Sequence, residues 1–155
     1  MDNDRKEKTF ILLKPDAVQR GLTGRIIARF EDKGLKIIAA KLVQVTREQA
    51  EKHYGVHKGK RFFESLVEFI TSSPCLALVL EGRNAIKLCR RIMGSTDPMD
   101  SEPGTIRGDF SLDVKHNLIH GSDCPDSYAH EVQVYFTPEE ILNYRLELEG
   151  WIYYA

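Results

Sequence analysis

The chain contains no apolar run near the roughly 20 residues that a membrane-spanning helix needs. Its longest candidate, residues 75–80, has the size of a strand. Cysteine is scarce: three residues, at 75, 89 and 124, with no C-x-x-C pair. The odd count argues against a disulfide scaffold or a zinc ribbon and fits a reducing compartment. No charge of one sign dominates, since 22 basic residues face 23 acidic ones for a net charge of −1. Bulk electrostatics therefore favours neither nucleic acid nor an acidic membrane. The first eight residues are charged and lack the apolar core of a secretory signal. They read as a solvated tail, and the protein is expected in the cytoplasm.

The common nucleotide signatures are missing as well. There is no G-x-x-x-x-G-K-[ST], and the pair Gly59-Lys60 lies at the wrong spacing from Gly55. No G-x-G-x-x-G follows a strand. No G-x-S-x-G marks a serine nucleophile. A nucleotide-handling role would have to work without a P-loop or a Rossmann turn.

What is present is a normal globular composition, 42% hydrophobic and 29% charged over 155 residues. That length gives one domain, residues 1–155, with a real core. Residues 9–13 form a β-rich run stopped by Pro15. Ile26, Ile27 and Phe30 lie at helical spacing over 24–33, and Gly34 suits the end of that helix. Residues 35–45 read as a long strand. Thr46-Arg-Glu-Gln49 matches a capping box that starts a helix. Phe62, Phe63, Leu66, Val67 and Ile70 place a helix over 62–71, and residues 75–81 read as a buried strand. Asn84 opens a helix that ends at Gly94. Residues 95–114 carry Pro98, Pro103, Gly104 and Gly108 without periodicity, so they read as a long functional loop. A strand is expected at 132–136, then a second capping box at Thr137 and a short C-terminal helix. The order is that of an α/β chain with four strands. Pattern alone leaves the sheet parallel or antiparallel.

The densest chemistry lies in Asn117-Leu-Ile-His120-Gly-Ser122-Asp123, followed by Glu131. Neutral imidazole is a nucleophile and tolerates a covalent phosphoryl group. A nearby carboxylate or hydroxyl fixes its tautomer, so Ser122 and Glu131 are candidate orienting partners. Gly121 permits close approach. On the residues alone, His120 is as readily a surface histidine in a polar turn. Phosphoryl transfer also needs converging cations, and Lys14, Arg90, Arg91 and Arg107 are candidates. Lys14 stands out because it follows an apolar strand directly. His53 and His57 have the spacing of a helical metal pair, but Gly55 lies between them and no third ligand is evident. Phe62 can be core or can stack on a base.

Three separated stretches then resemble one family. Thr9-Phe-Ile-Leu-Leu-Lys-Pro-Asp-Ala-Val-Gln-Arg-Gly21, Pro103-Gly-Thr-Ile-Arg-Gly-Asp-Phe110 and Asn117-Leu-Ile-His-Gly-Ser-Asp123 are similar, in this order, to nucleoside diphosphate kinases. The resemblance implies a ferredoxin-like α/β sandwich with a four-stranded antiparallel sheet. It implies His120 as the phosphorylated nucleophile, oriented by Glu131 and Ser122. Lys14 and Asn117 match groups that contact the sugar and nearby phosphate oxygens, and Tyr54 matches the residue supporting that lysine. Arg90, Thr96 and Arg107 match the phosphate-binding set. Phe62 and Val114 match the two faces of the base site, and Asp123 matches the acid that reaches Mg²⁺ through water. Nucleoside tri- and diphosphates are the implied substrates. The aromatic end, Trp151-Ile-Tyr-Tyr-Ala155, resembles the tail of members that form hexamers, built as trimers of dimers. One departure is Arg61, where a proline often precedes the Phe-Phe pair. The loop from Gly55 to Arg61 is also unusually basic.

Overall fold

In the computed structural model, residues 6–154 are described. Four strands make one sheet: β1 (Lys6–Leu13), β2 (Lys36–Val43), β3 (Cys75–Arg83) and β4 (Ile119–Gly121). Their order is β2-β3-β1-β4, and every neighbouring pair is antiparallel. This is the four-stranded antiparallel sheet with packed helices of the ferredoxin-like fold, as the resemblance implied. The question that pattern had left open is thereby closed.

Helices cover both faces of the sheet. They are α1 (Pro15–Gln19), α2 (Thr23–Lys33), α3 (Arg47–His53), α4 (Phe63–Thr71), α5 (Ala85–Met93), α6 (Ile106–Phe110) and α7 (Pro125–Tyr135). Along β1 the side chains alternate between two cores. Ile11 and Leu13 join Ile26, Phe30, Leu78 and Met93 on one face. Phe10 and Leu12 join Val67, Ile70, Val79 and Tyr135 on the other. A strand buried on both faces reads as one continuous apolar run, which is why residues 9–13 show no polar alternation. Each fully buried large side chain contributes about 1.5–3 kcal/mol, so the central strands are the most firmly held part of the molecule.

Several local signals act as read. The Thr46 capping box forms, with the threonine side chain accepting from Gln49 N and the Gln49 side chain accepting from Thr46 N. Gly34 ends α2 at φ 102, a conformation that favours glycine. A Cβ there would also come within 2.7 Å of Ile152.

Four expectations are corrected. Residues 6–8 are not tail: they extend β1, pairing Lys6 with Arg83 and Lys8 with Glu81. Residues 1–5 lie outside the described part. The strand expected at 132–136 is instead the end of helix α7. Val132, Val134 and Phe136 alternate, but the start signal upstream decides. Cys124 Sγ accepts from Ser127 N, Pro125 occupies the first turn, and Tyr128, Glu131, Val132 and Tyr135 then fall on one helical side. The fourth strand is β4, three residues around His120, too short to announce itself by periodicity. The stretch 95–114 holds a 3-10 turn (Pro98–Asp100) and α6, the latter capped by the Thr105 side chain. Beyond Phe136, among the described residues, only two 3-10 turns form, Pro138–Glu140 and Glu149–Trp151, in place of a C-terminal helix.

Candidate active site

His120 sits in the middle of β4, opposite Leu12 of β1. Its Nε2 lies 2.9 and 3.0 Å from the two carboxylate oxygens of Glu131. Glu131 is buried on α7, and Ser122 Oγ donates to its Oε1 at 2.7 Å. The strand therefore presents the imidazole while the helix fixes its direction. Gly121 does not leave room for a ligand. Its missing Cβ is what admits Met93 Sδ, which a side chain there would meet at 2.6 Å. The glycine thus packs α5 tightly behind the histidine.

The turn before His120 is built around Leu118, at φ 71. Few non-glycine residues adopt that conformation, and it costs of order 1–3 kcal/mol. Ile119 N closes a three-residue turn onto Asn117 O. Leu118 N donates to Asp16 Oδ2, and Lys14 N donates to Leu118 O at 2.8 Å. Those bonds hold the strained turn. They also set Asn117 beside Lys14, whose Nζ donates to Asn117 Oδ1 at 2.9 Å. Asn117 Nδ2 donates in turn to Thr96 O.

Three cations, Lys14, Arg90 and Arg107, gather at this end, with Asp16 acting on Lys14 and Asp123 on Arg90. Arg107 is buried and feels the charge of Arg90. Burial first, and then Arg90, lower its pKa to about 10. Burial, and then the charge of Arg107, lower the Lys14 pKa to about 8. Mutual repulsion in a poorly hydrated site is relieved by a bound anion. Arg107 also spends its guanidinium on the fold, donating to the carbonyls of Gly94, Asn117 and Ile119. Arg90 Nη1 donates to Gly121 O. Arg91 is exposed and makes no part of this cluster.

Beside the cations lies an open cavity of about 750 Å³. Phe62 and Val114, each about half exposed, line it together with Leu66, Phe69, Lys14 and Thr96. Phe62 is thus turned to the cavity, and Phe63 belongs to the core. Asp123 is exposed, and its carboxylate is held below the usual range first by the hydroxyl of Ser127, whose Oγ donates to Oδ1 at 2.6 Å. Tyr54 is buried in the wall of the site. Its ring lies 4.6 Å from that of His53, and among the described residues it makes no hydrogen bond to Lys14.

The His53–His57 metal pair, which the intervening Gly55 already disfavoured, does not form. His57 lies in a 3-10 turn near Lys60, whereas His53 is buried with its ring centroid 4.6 Å from that of His120. His53 Nδ1 is 2.7 Å from Tyr135 Oη, and its Nε2 has no hydrogen-bond partner among the described residues. Burial, and then His120, drive its pKa well below the ordinary value, so the ring is neutral. One donor atom each from His53, His120 and Glu131 lie within 4.8 Å of one another, a cluster that could hold a metal ion. The missing third partner of His53 was thus distant in sequence, and no local spacing could reveal it. Cys75 and Cys89 are buried free thiols, and Cys124 is an exposed one.

A strand-borne histidine gripped by a carboxylate, with cations and an open cavity beside it, defines a site for moving phosphoryl groups. Comparison with known proteins makes this specific. The family model for nucleoside diphosphate kinase matches residues 7–141. The nucleoside diphosphate kinase of Pelotomaculum thermopropionicum is 54% identical over 147 residues, covering 95% of this chain and 99% of that protein. That of Archaeoglobus fulgidus is 52% identical over 147 residues, covering 95% and 97%. Among solved structures, a halophilic nucleoside diphosphate kinase from Halobacterium salinarum in complex with CDP superposes with a TM-score of 0.93. It is 45% identical and covers 96% of this chain and 99% of its own. A nucleoside diphosphate kinase family protein from Babesia bovis gives 0.92 at 45% identity, covering 95% and 99%. The chain belongs to the nucleoside diphosphate kinase family and is a phosphotransferase that works through a phosphohistidine.

Proposed function

We propose that this protein moves the γ-phosphate of a nucleoside triphosphate onto His120 and then onto a different nucleoside diphosphate. The observation that carries the assignment is the His120–Glu131 contact. With Nε2 bound to both carboxylate oxygens, Nδ1 is the ring nitrogen left to attack. Glu131 stabilises the positive charge that develops on the ring, and Ser122 keeps the carboxylate in place. The reaction is a pair of in-line displacements, each forming one P–N or P–O bond as another P–O or P–N bond breaks.

Lys14, Arg90 and Arg107 supply positive potential at the phosphates, with Thr96 alongside them. Lys14 and Asn117 also receive the sugar hydroxyl. Tyr54 serves as a wall behind this group. Phe62 and Val114 take the two faces of the base. Stacking reads any flat base, so purine and pyrimidine nucleotides both fit. Mg²⁺ bound with the nucleotide would reduce the negative charge on its phosphates. An exposed, ionised Asp123 suits it as a water-mediated oxygen partner, whereas the nitrogen-rich His53–His120–Glu131 set does not. The 1–155 chain acts as one domain, in the cytoplasm. No described helix is long and apolar enough to cross a membrane, and nucleic acid is not an expected partner.

The direct test is a chase. Protein incubated with γ-labelled ATP and magnesium should acquire an acid-labile label. GDP, dCDP or UDP should each discharge it, giving ping-pong kinetics. A label that persists after diphosphate addition would point to a protein acceptor instead.

Two further results are expected. The first concerns pH. Lys14 is charged below about pH 8 and neutral above it. The kcat/KM for nucleoside triphosphate should therefore fall as pH rises through about 8. A Lys14→Arg protein, weaker at its optimum, should lack that limb. The sign for stability is the opposite. A lysine whose folded-state pKa is lowered costs stability while charged, and that cost fades as pH rises from about 8 towards 10.5. The second concerns Phe62. Its replacement by alanine should raise KM by about 5–20-fold for every base, with kcat little changed, because a half-exposed ring is worth the lower end of the 1–3 kcal/mol of base stacking. Steady-state kinetics with ATP, GTP and CTP would show it.

We also assign the protein to a homohexamer. Trp151 and Tyr154 are almost fully exposed, and Leu42 projects from the sheet-edge strand β2. Apolar groups on an unpaired edge favour burial at a contact. Light scattering should give six times the 17.7 kDa chain mass.

A further inference from the structure

We propose that His53, His120 and Glu131 form a site for a borderline transition metal, best suited to Zn²⁺, and that its occupancy excludes phosphorylation of His120. Two imidazoles and one carboxylate, with a fourth position open, are a common zinc donor set. The three ligands come from α3, β4 and α7, so the site exists only in the folded chain. Their donor atoms lie within 4.8 Å of one another. A tetrahedral zinc with bonds near 2.1 Å needs donors about 3.4 Å apart, which small side-chain rotations can reach.

Two independent observations point to a ligand here. His53 is 5% exposed, and its Nε2 is a buried polar atom without a partner among the described residues. Such an atom carries a desolvation cost that a metal bond would offset. In addition, the supporting bonds that orient metal ligands are already in place. Tyr135 Oη holds His53 Nδ1 at 2.7 Å, and Ser122 Oγ holds Glu131 Oε1 at 2.7 Å. Access is open, since the His120 side chain retains 23% of its exposure.

The metal takes the place of the proton shared between His120 Nε2 and Glu131. That proton leaves to solvent, and the metal sheds waters to accept the three donors. An imidazole bound to Zn²⁺ through Nε2 is a poorer nucleophile at Nδ1, and Glu131 no longer stabilises positive charge on the ring. The exclusion half rests on His120 as phosphoryl carrier. The binding half does not, and it is tested without nucleotide.

Zn²⁺ alone is titrated into nucleotide-free, full-length protein against a chromogenic chelator. The side-chain nitrogens of all five histidines are followed by ¹⁵N NMR. One Zn²⁺ per chain is expected, with His53 and His120 shifting together. His53→Gln and Glu131→Gln should each weaken binding by about 100-fold, and Cys124→Ser should leave it unchanged. Protein first phosphorylated with ATP should not bind, and zinc-loaded protein should take up label from ATP only after chelation. The proposal fails if wild-type protein binds no zinc, or if affinity follows Cys124 or His130. It also fails if the His53 resonances stay still, a readout that needs no variant to fold. Undiminished labelling of zinc-loaded protein would overturn the exclusion.

Discussion

A His120→Gln protein is expected to lose turnover by on the order of 10⁴-fold or more and to carry no phosphate label. Glutamine is the informative replacement. Its amide can still donate to Glu131, so the Ser122–Glu131 bond on α7 need not rearrange. Its nitrogen lone pair is delocalised into the carbonyl and cannot attack phosphorus. The variant therefore removes the nucleophile while keeping the cations of Lys14, Arg90 and Arg107 and the base cavity. Nucleotide affinity should change by less than about tenfold, because binding energy from remote parts of the substrate is untouched. Thermal stability should also stay close to wild type, since His120 is partly exposed rather than core. Coupled assay, acid-quenched labelling and calorimetry separate the three quantities. Residual turnover within about 100-fold of wild type would require a route that bypasses a covalent intermediate, against the split-step logic of nucleophilic catalysis.

The parts of this site differ in how far they could be read from sequence. Helix starts marked by a local cap were legible, as at Thr46, because the deciding bonds join residues three apart. The buried strands were legible as apolar runs. The segment around His120 was harder. Its strand is three residues long, and its position depends on pairing with Leu12, more than a hundred residues away. The helix that carries Glu131 was mistaken for a strand, because Val132, Val134 and Phe136 mimic a two-residue period over a short window. Even so, Glu131 was nominated as a partner of His120, first as a carboxylate that follows it in sequence and then by the resemblance, not by the periodicity. His53 shows the opposite limit. Its visible neighbour was His57, but its actual neighbours, His120 and Tyr135, come from other elements. Local spacing can nominate ligands on one helix and is blind to those a sheet brings together. Arg107 was read as a phosphate ligand, and its second task, bonding three carbonyls, leaves no trace in composition or period.

That second task makes Arg107→Ala the other variant of large effect, and it should fail in stability as well as rate. The guanidinium donates to Gly94 at the end of α5 and to Asn117 and Ile119 on either side of the Leu118 turn. Asn117 O keeps its bond from Ile119 N, while a buried carbonyl left without a donor costs about 1–3 kcal/mol, and the packing of the buried arginine stem is lost as well. Water entering the gap would recover part of this, so a net loss of about 3–5 kcal/mol is expected, or a melting temperature lower by roughly 10 °C. Lysine should restore little, since one ammonium cannot span the fork that the guanidinium fills. The same carbonyls flank Asn117 and His120, and the strained turn at Leu118 lies between them. Loosening this turn should displace both the nucleophile and the Lys14 partner, lowering kcat/KM by on the order of 10²-fold or more. The charge leaves a separate signature. Arg107 is one of the groups that lower the Lys14 pKa. Without it, Lys14 should stay protonated to higher pH, and the alkaline limb of the rate profile should move upward from about 8. A purely structural arginine would reduce rate and stability but leave that limb where it is. The pH profile of Arg107→Ala, measured well below its melting temperature, therefore separates the scaffold role from the electrostatic one.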